Sequence, residues 1–305
     1  MPRFVERTDY NKVITVKLVI PSGCNARCVF CYLKGYKDKL QYDEAGFKDS
    51  FIGSLDTILG KLQGCRVSLD ITGNEPTLRP ELLTYVMDRL REYRIQDKVE
   101  RVTITTNGTN LLKVCDSFRD VVNYVNISIH DFDPASRKKI IGILPCTDKQ
   151  YAEAVHRLAG YGITVSGIAV IHKPIPMFRM WVEQFIAYLK DMGFIGLRLR
   201  CSVFWDRKDL FDRYMDYYFA DSDYTTIVHE NTPDSHWARF RRYDKFRLFF
   251  LQGVEDTSLF TKGIEYIISD DGKLYVDYFK NMTLEEYEND WTVGKIYDRV
   301  DLSKH

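Results

Sequence analysis

Val13-Ile14-Thr15-Val16-Lys17-Leu18-Val19-Ile20, then Pro21-Ser22-Gly23, then Cys24-Asn25-Ala26-Arg27-Cys28-Val29-Phe30-Cys31, is the stretch on which the reading of this chain turns. The first eight residues are apolar and largely β-branched, and they stop at Pro21 and Gly23 as a strand entering a loop does. Three thiols within eight residues of that loop have the ligand chemistry of an iron-sulfur site. A cubane of four irons is closed by four thiolates, so three leave one iron open to an exogenous ligand. Structural zinc wants four tetrahedral ligands, commonly two Cys-x2-Cys pairs, and no second pair or His partner follows here at suitable spacing. The chain has 7 cysteines, an odd number, and Met1 to Tyr10 carry no charged-then-apolar secretory leader. The expectation is therefore a cytoplasmic, reduced protein rather than a disulfide framework.

Composition bounds the partners. Lys+Arg and Asp+Glu are both 43, for a formal net charge of +0, so no global field favours a polyanion and nucleic acid is not an expected partner. No apolar run approaches the roughly 18 to 20 residues of a membrane span. At 305 residues the chain is long for one domain but within reach of an α/β barrel.

Outward from the cysteines, strand-like and helix-like patterns alternate, the mark of βα units and a parallel sheet. From Asp43, a candidate N-cap, Phe47, Phe51, Leu55, Ile58, Leu59 and Leu62 recur at helical spacing. Arg66 to Thr72 predicts a strand, and Leu78 to Tyr93 a helix with Leu82, Leu83, Val86 and Leu90 inward. Val102 to Thr106, Tyr124 to His130, Ile163 to Ile171 and Ile195 to Cys201 predict further strands. Between them, Leu111 to Phe118, Lys149 to Tyr161 and Met180 to Met192 predict helices. Six strands with five helices make the fold class α/β, a partial (β/α)6 TIM-type barrel over residues 1–201. In such barrels active groups gather at the C-terminal ends of the strands, where the cysteine loop lies.

Residues 202–305 read as an α+β extension that caps the barrel. Alternating residues around Asp270-Asp271-Gly272 predict a hairpin over about 264–279, and Val293-Gly294-Lys295-Ile296 closes the segment. Arg239, Arg241, Arg242, Lys245 and Arg247 interleave with Phe240, Tyr243, Phe246, Phe249 and Phe250. That pattern predicts an amphipathic helix with a buried aromatic face, or else a basic, aromatic surface for a phosphate or carboxylate.

Three more loops fall at predicted strand ends. Gly73-Asn74-Glu75-Pro76-Thr77 follows the second barrel strand, where glycine permits close backbone approach and a carboxylate can accept charge-assisted hydrogen bonds. Taken alone it reads as an ordinary strand-turn-helix connection; its place on the strand next to the cysteine loop reverses that reading. Thr105-Thr106-Asn107-Gly108-Thr109 suits a tight turn after the third strand, and Asn126-Ile127-Ser128-Ile129-His130 closes the fourth.

These segments together resemble the radical S-adenosylmethionine (SAM) superfamily over about Val13 to Cys201. The cysteines match its C-x3-C-x2-C loop, with the aromatic Phe30 before the last cysteine, and Gly73 to Pro76 match its Gly-Gly-Glu-Pro loop with Asn74 in place of the second glycine. The resemblance implies that Cys24, Cys28 and Cys31 hold one 4Fe-4S cluster and that SAM chelates its open iron. One electron, from a donor such as flavodoxin or ferredoxin, would then cleave SAM to a 5'-deoxyadenosyl radical that abstracts a hydrogen atom from substrate. By the same resemblance Phe30, Gly73, Asn74 and Glu75 lie around the cofactor, Ser128 contacts the SAM ribose or carboxylate, and Gly167 leaves room at the adenine.

His130 stands where relatives often carry an acid; it reads either as a substrate or proton-transfer group or as a strand-end histidine satisfied by backbone. Cys146 and Cys201 read either as hydrogen-atom donors or, like Cys65 and Cys115, as small buried hydrophobes. No cysteine follows Cys201, so the last third is similar to a SPASM or twitch extension lacking its cluster ligands. The expected reaction therefore needs no auxiliary acceptor: rearrangement, elimination, bond cleavage or epimerisation. A small metabolite or natural-product precursor is the expected substrate, with a ribosomally made peptide as the alternative. From another class, a non-catalytic iron-sulfur or SAM-binding regulatory protein remains open.

Overall fold

The computed structural model describes residues 4–7, 13–31, 43–202, 207–220, 225–229, 236–251 and 265–275. After a short strand β1 (Phe4–Arg7), the chain runs β2 (Val13–Ile20), α1 (Glu44–Lys61), β3 (Arg66–Gly73), α2 (Pro80–Glu92), β4 (Arg101–Thr106) and α3 (Leu111–Val114). It continues through β5 (Tyr124–Ser128), α4 (Pro134–Ile141), α5 (Asp148–Gly160), β6 (Thr164–Ile171), α6 (Phe178–Asp191) and β7 (Gly196–Cys201). Strands β2 to β7 pair in chain order, every pair parallel. Right-handed crossovers taken always in one direction put all the helices on one face of such a sheet. The opposite face is left to the interior of the barrel. Among the described residues the sheet has free ends, so the barrel is open.

Alternation along each strand sorts the two faces. On β2, Ile14, Val16, Leu18 and Ile20 are buried under the helices while Thr15, Lys17 and Val19 are half-buried on the other side. Helix α1 supplies Phe47, Phe51, Leu55 and Ile58 to that helix-side core, with Phe47 and Phe51 stacked at 4.9 Å. Its N-cap is Asp43, whose carboxylate accepts from the Gly46 N–H. Opposite the helices, register aligns Lys17, Asp70, Thr103, Tyr124 and Thr164 in one row across five strands. That interior row is thus polar.

Residues beyond β7 extend the same sheet at both edges. Helix α7 (Lys208–Phe219) precedes β8 (Thr225–His229), β9 (His236–Tyr243) and β10 (Phe246–Leu251); β10 pairs parallel to β7, and β9 and β8 follow antiparallel. At the far edge β11 (Glu265–Ile268) pairs parallel to β2 and antiparallel to β12 (Leu274–Tyr275). The predicted hairpin is therefore present over its described part, while 276–279 and 293–296 lie outside the described residues. Its turn docks on α1: the Ser54 hydroxyl donates to the Gly272 carbonyl at 2.6 Å and Ser50 to that of Asp271 at 3.2 Å.

The helix expected over Arg239 to Phe250 is a correction. These residues form the β9–β10 hairpin, with Asp244 at φ +55° in its tight turn. Phe246, Leu248 and Phe250 are buried at a period of two, and Phe250 lies among Phe178, Phe211, Tyr218 and Phe219 at 5.3 to 6.2 Å between ring centres. Aromatic pairs of this kind contribute about 0.5–1.5 kcal/mol each beyond area burial. Strand β5 also stops at Ser128, two residues short of the expected end, because His130 turns to φ +53°.

Candidate active site

The cysteine loop leaves β2 at its C-terminal end and is fixed by three neighbours. The Ser22 hydroxyl donates to the Glu75 carbonyl at 2.7 Å, and the Glu75 N–H donates to the Gly23 carbonyl at 3.1 Å, tying the loop to the end of β3. Asn25, between the first two cysteines' flanks, accepts from Asn107 Nδ2 at 3.1 Å and donates to the Thr109 hydroxyl at 2.9 Å. The third contact is with α4. The N–H groups of Arg27 and Val29 donate to the Ile141 and Ile140 carbonyls at 2.7 and 3.0 Å, satisfying acceptors that a helix C-terminus leaves without intrahelical donors. Gly142 caps this helix at φ +78°, and a Cβ there would come within 3.0 Å of the Arg27 side chain. Helix α4 went unread in the sequence, yet it is one wall of the site.

Cys24, Cys28 and Cys31 are half-buried thiols, not disulfides. Among the described residues no three Cys, His, Asp or Glu side chains converge on a single metal-ion position. A cubane makes no such demand, because each thiolate binds a different iron. The donor set, three thiols held on a loop by its backbone and polar neighbours, fits a cluster with one iron left to another ligand. Phe30 stands beside it, its ring centre 4.7 Å from that of His130 and 5.6 Å from that of His172.

At the end of β3, Gly73 has φ +137°, and a Cβ would lie 3.0 Å from the Ile20 carbonyl oxygen, so glycine is required for β2 and β3 to end side by side. Glu75 is 2% exposed and turns inward. Its carboxylate accepts from the Thr77 N–H at 3.1 Å, the Thr77 hydroxyl at 2.7 Å, the Thr106 hydroxyl, and the Asn107 N–H at 2.6 Å. Burial raises its pKa, opposed by those hydrogen bonds. In this structure Glu75 is a buried tie between the β3 and β4 loops. Asn74 and the Gly73 backbone remain partly exposed at the strand end.

The other candidates separate by face. Ser128 shares its face with Asn126, toward the barrel interior. Gly167 does not: a Cβ there would meet Leu189 of α6 at 3.0 Å and Ile129 at 3.3 Å, so its lack of a side chain makes room for the helix. Cys201 alternates with Leu197 and Leu199, is 6% exposed and belongs to the helix-side core. Cys146 is buried behind the Asn107-Gly108 turn, its thiol donating to the Gly108 carbonyl at 2.9 Å and pushed up to about 11, chiefly by burial and then by the Glu75 charge. His130 is 5% exposed, and its Nδ1 accepts from the Val170 N–H at 3.2 Å. Burial, assisted by His172, pushes it down to about 3, so in this structure the ring is neutral with Nδ1 occupied by backbone.

A second tier of residues behind the loops was not read from sequence. The Tyr151 hydroxyl donates to the Asn107 carbonyl at 2.9 Å, and Arg137, 2% exposed, pairs with Asp148 and Tyr188 beneath it. A buried arginine on a short polar helix has no sequence signature that distinguishes it from a solvated one.

Residues 18–196 match the model of the radical SAM superfamily. The probable GTP 3',8-cyclase of Sulfolobus acidocaldarius is 32% identical over 129 residues, 42% of this chain and 38% of that protein. The GTP 3',8-cyclase of Limosilactobacillus fermentum is 34% identical over 126 residues, 41% of this chain and 36% of that one. The chain thus aligns with well under half the length of either cyclase. Streptococcus suis SuiB, solved bound to its precursor peptide SuiA, shares the fold with a TM-score of 0.56 over 94% of this chain and 67% of SuiB, at 13% identity. No helix among the described residues is long and apolar enough to cross a membrane. With the family model covering more than half its length and the cysteine loop at the expected strand end, this chain belongs to the radical SAM superfamily, whose enzymes bind SAM and a 4Fe-4S cluster.

Proposed function

We propose that Cys24, Cys28 and Cys31 hold the 4Fe-4S cluster and that SAM takes the open iron above Gly73, Asn74 and Ser128. When bound, this pair supplies a 5'-deoxyadenosyl radical able to take a hydrogen atom from an unactivated carbon, chemistry beyond any side-chain acid or base. The observation that supports the reading is the three-sided fixing of the cysteine loop at the C-terminal end of β2.

The chain's own residues orient and shield. Glu75, held by Thr77, Thr106 and Asn107, sets the relative positions of the β3 and β4 loops. Phe30 and the neutral ring of His130 give the site an aromatic side wall with no acidic proton to deliver. Gly73 keeps the β3 end free of side-chain bulk.

The substrate is proposed to be a small metabolite or natural-product precursor, and the electron donor a flavodoxin- or ferredoxin-like protein. Cys65, Cys115, Cys146 and Cys201 are dispersed and partly or wholly buried, which supports a reaction without an auxiliary cluster. A purine nucleotide is the second reading, supported by the two cyclases, although their alignment covers less than half of either protein. The test is anaerobic incubation of reduced, reconstituted protein with SAM, followed by chromatography for 5'-deoxyadenosine. Formation of that product is expected; its absence with reduced cluster and every substrate class supplied would favour a non-catalytic regulator.

A further inference from the structure

The chain leaves β5 through a strained turn centred on His130. Its φ of +53° is uncommon for any residue other than glycine. The Asp131 N–H donates to the Ile129 carbonyl at 2.6 Å, which closes a three-residue γ-turn about His130. Strain of this kind persists where the surroundings over-determine it, and it collects at ligand sites. The turn brings the imidazole ring to the Val170 N–H on β6 and to within 4.7 Å, between ring centres, of Phe30, the residue before Cys31.

The backbone decides which ring nitrogen carries the proton. An N–H group can only donate, so Nδ1, which meets the Val170 N–H at 3.2 Å, is the acceptor, and in the neutral ring Nε2 carries the hydrogen. No described residue accepts from that Nε2–H, although the side chain is 5% exposed. Unlike Arg137 Nε the atom is not sealed, so it opens on free space. A buried donor without an acceptor costs free energy, and one kept beside the cysteine loop points to a ligand.

His172 supplies the complement. Its Nδ1 lies 3.4 Å from the Val170 carbonyl, which can only accept, so Nδ1 carries the hydrogen and Nε2 keeps its lone pair. Phe30 touches this ring as well, at 5.6 Å between ring centres. Burial lowers both histidines from their ordinary range, so neither is charged at pH 7. Against Phe30 the two rings therefore present one hydrogen-bond donor, one acceptor and no charge. Phosphate and carboxylate supply acceptors alone and would find no cation in this pair. An amide or an amino-substituted nitrogen heterocycle carries donor and acceptor side by side.

We propose that His130 is a ligand-binding residue whose Nε2–H donates to the lone pair of a neutral amide or amino-substituted heterocycle seated against Phe30. His172 Nε2 offers the acceptor that such a group also needs. Two molecules can supply the group, SAM through its adenine or the substrate, and the recognition chemistry is the same for both. The proposal rests on the radical SAM reading above and deepens it by naming the neutral group that the site recognises.

The test divides the two nitrogens of the ring between two variants. H130N keeps an acceptor for the Val170 N–H and tolerates the positive φ, but has nothing at the Nε2 position. H130Q carries an amide N–H out to that position. Both are checked for fold by circular dichroism and for iron content. SAM is titrated calorimetrically into the reconstituted, cluster-loaded protein, and guanosine and nicotinamide are then titrated into the SAM-loaded holoenzyme. H130N should weaken binding about threefold to tenfold in one arm, the worth of one neutral hydrogen bond, and H130Q should restore it to within about twofold. Loss in the SAM titration assigns the group to SAM, and loss only in the second arm assigns it to substrate. Equal SAM affinity in wild type and H130N, with equal or no binding of the other two probes, would overturn the proposal and leave His130 a strand-end cap. Folded H130Q binding as weakly as H130N would overturn it too. Deoxyadenosine formation is measured on the same samples, and its absence in wild type would overturn the radical SAM reading itself.

Discussion

Glu75→Gln separates a structural tie from a direct ligand. Gln preserves size, and with its amide oxygen toward Thr77 and Thr106 its NH2 group meets the Asn107 N–H, where the carboxylate accepts at 2.6 Å. One charge-assisted bond is lost, about 1.5–3 kcal/mol, and a buried donor is left facing a donor, about 1–3 kcal/mol. No longer burying a charge offsets part of this. The expected destabilisation is about 2–4 kcal/mol, or roughly 3–6 °C in melting temperature for a chain of this size. Because Asn107 also holds Asn25 of the cysteine loop, SAM affinity should fall about tenfold or more, while the three thiols keep the iron. Anaerobic thermal melts, SAM titration calorimetry and iron counting on one preparation read all three quantities. A variant as stable as wild type with weakened SAM binding would show that Glu75 contacts the ligand directly; one unchanged in both would refute the tie altogether.

Other consequences can be measured independently. His130 is depressed from 6.5 to about 3, so the stability it contributes is complete above about pH 6.5 and is lost as pH falls toward 3. The slope is about 1.4 kcal/mol per pH unit, and His130→Asn, which tolerates the positive φ, should flatten urea-denaturation stability over that range; parallel pH profiles would contradict the assignment. Gly73→Ala places a Cβ 3.0 Å from the Ile20 carbonyl at φ +137°, and should cost at least about 1 kcal/mol and weaken SAM binding in the same titration. Gly272→Ala meets Ser50 and the Phe47 backbone at φ +76° and should detach the C-terminal hairpin from α1, seen as faster amide exchange in β11 and β12 with little change in β3 to β6.

The barrel was legible where residues repeat at one unambiguous period. Val13–Ile20 and Thr164–Ile171 stand as strands, and Phe47, Phe51, Leu55 and Ile58 line one buried helix face. Arg239 to Phe250 failed because Phe240, Tyr243, Phe246 and Phe249 fall every third residue, imitating a helix across a two-residue turn whose strands alternate at two. Helix α4 failed for the opposite reason: its inward residues include Arg137, so no apolar stripe announces it. The positions of the cysteine loop and of the loops at Gly73 and Asn107 at the ends of β2, β3 and β4 were legible. The direction of Glu75 was not, because an inward carboxylate depends on Thr77, Thr106 and Asn107 meeting it from two separate loops. Nor was the parity of Gly167 and Cys201, which depends on the register of β6 and β7 against the helices.

The central claim is that one loop holds one site-differentiated cluster. It is tested most directly by iron and sulfide counting with paramagnetic resonance of the reduced protein, wild type against the Cys24→Ala, Cys28→Ala, Cys31→Ala triple variant, whose fold is checked by circular dichroism. Wild type is expected to hold about four irons per chain, and the folded triple variant none, with no cluster signal and no deoxyadenosine. A cluster signal or SAM cleavage persisting in the folded triple variant would contradict the account, and about eight irons in wild type would place a second cluster in the chain.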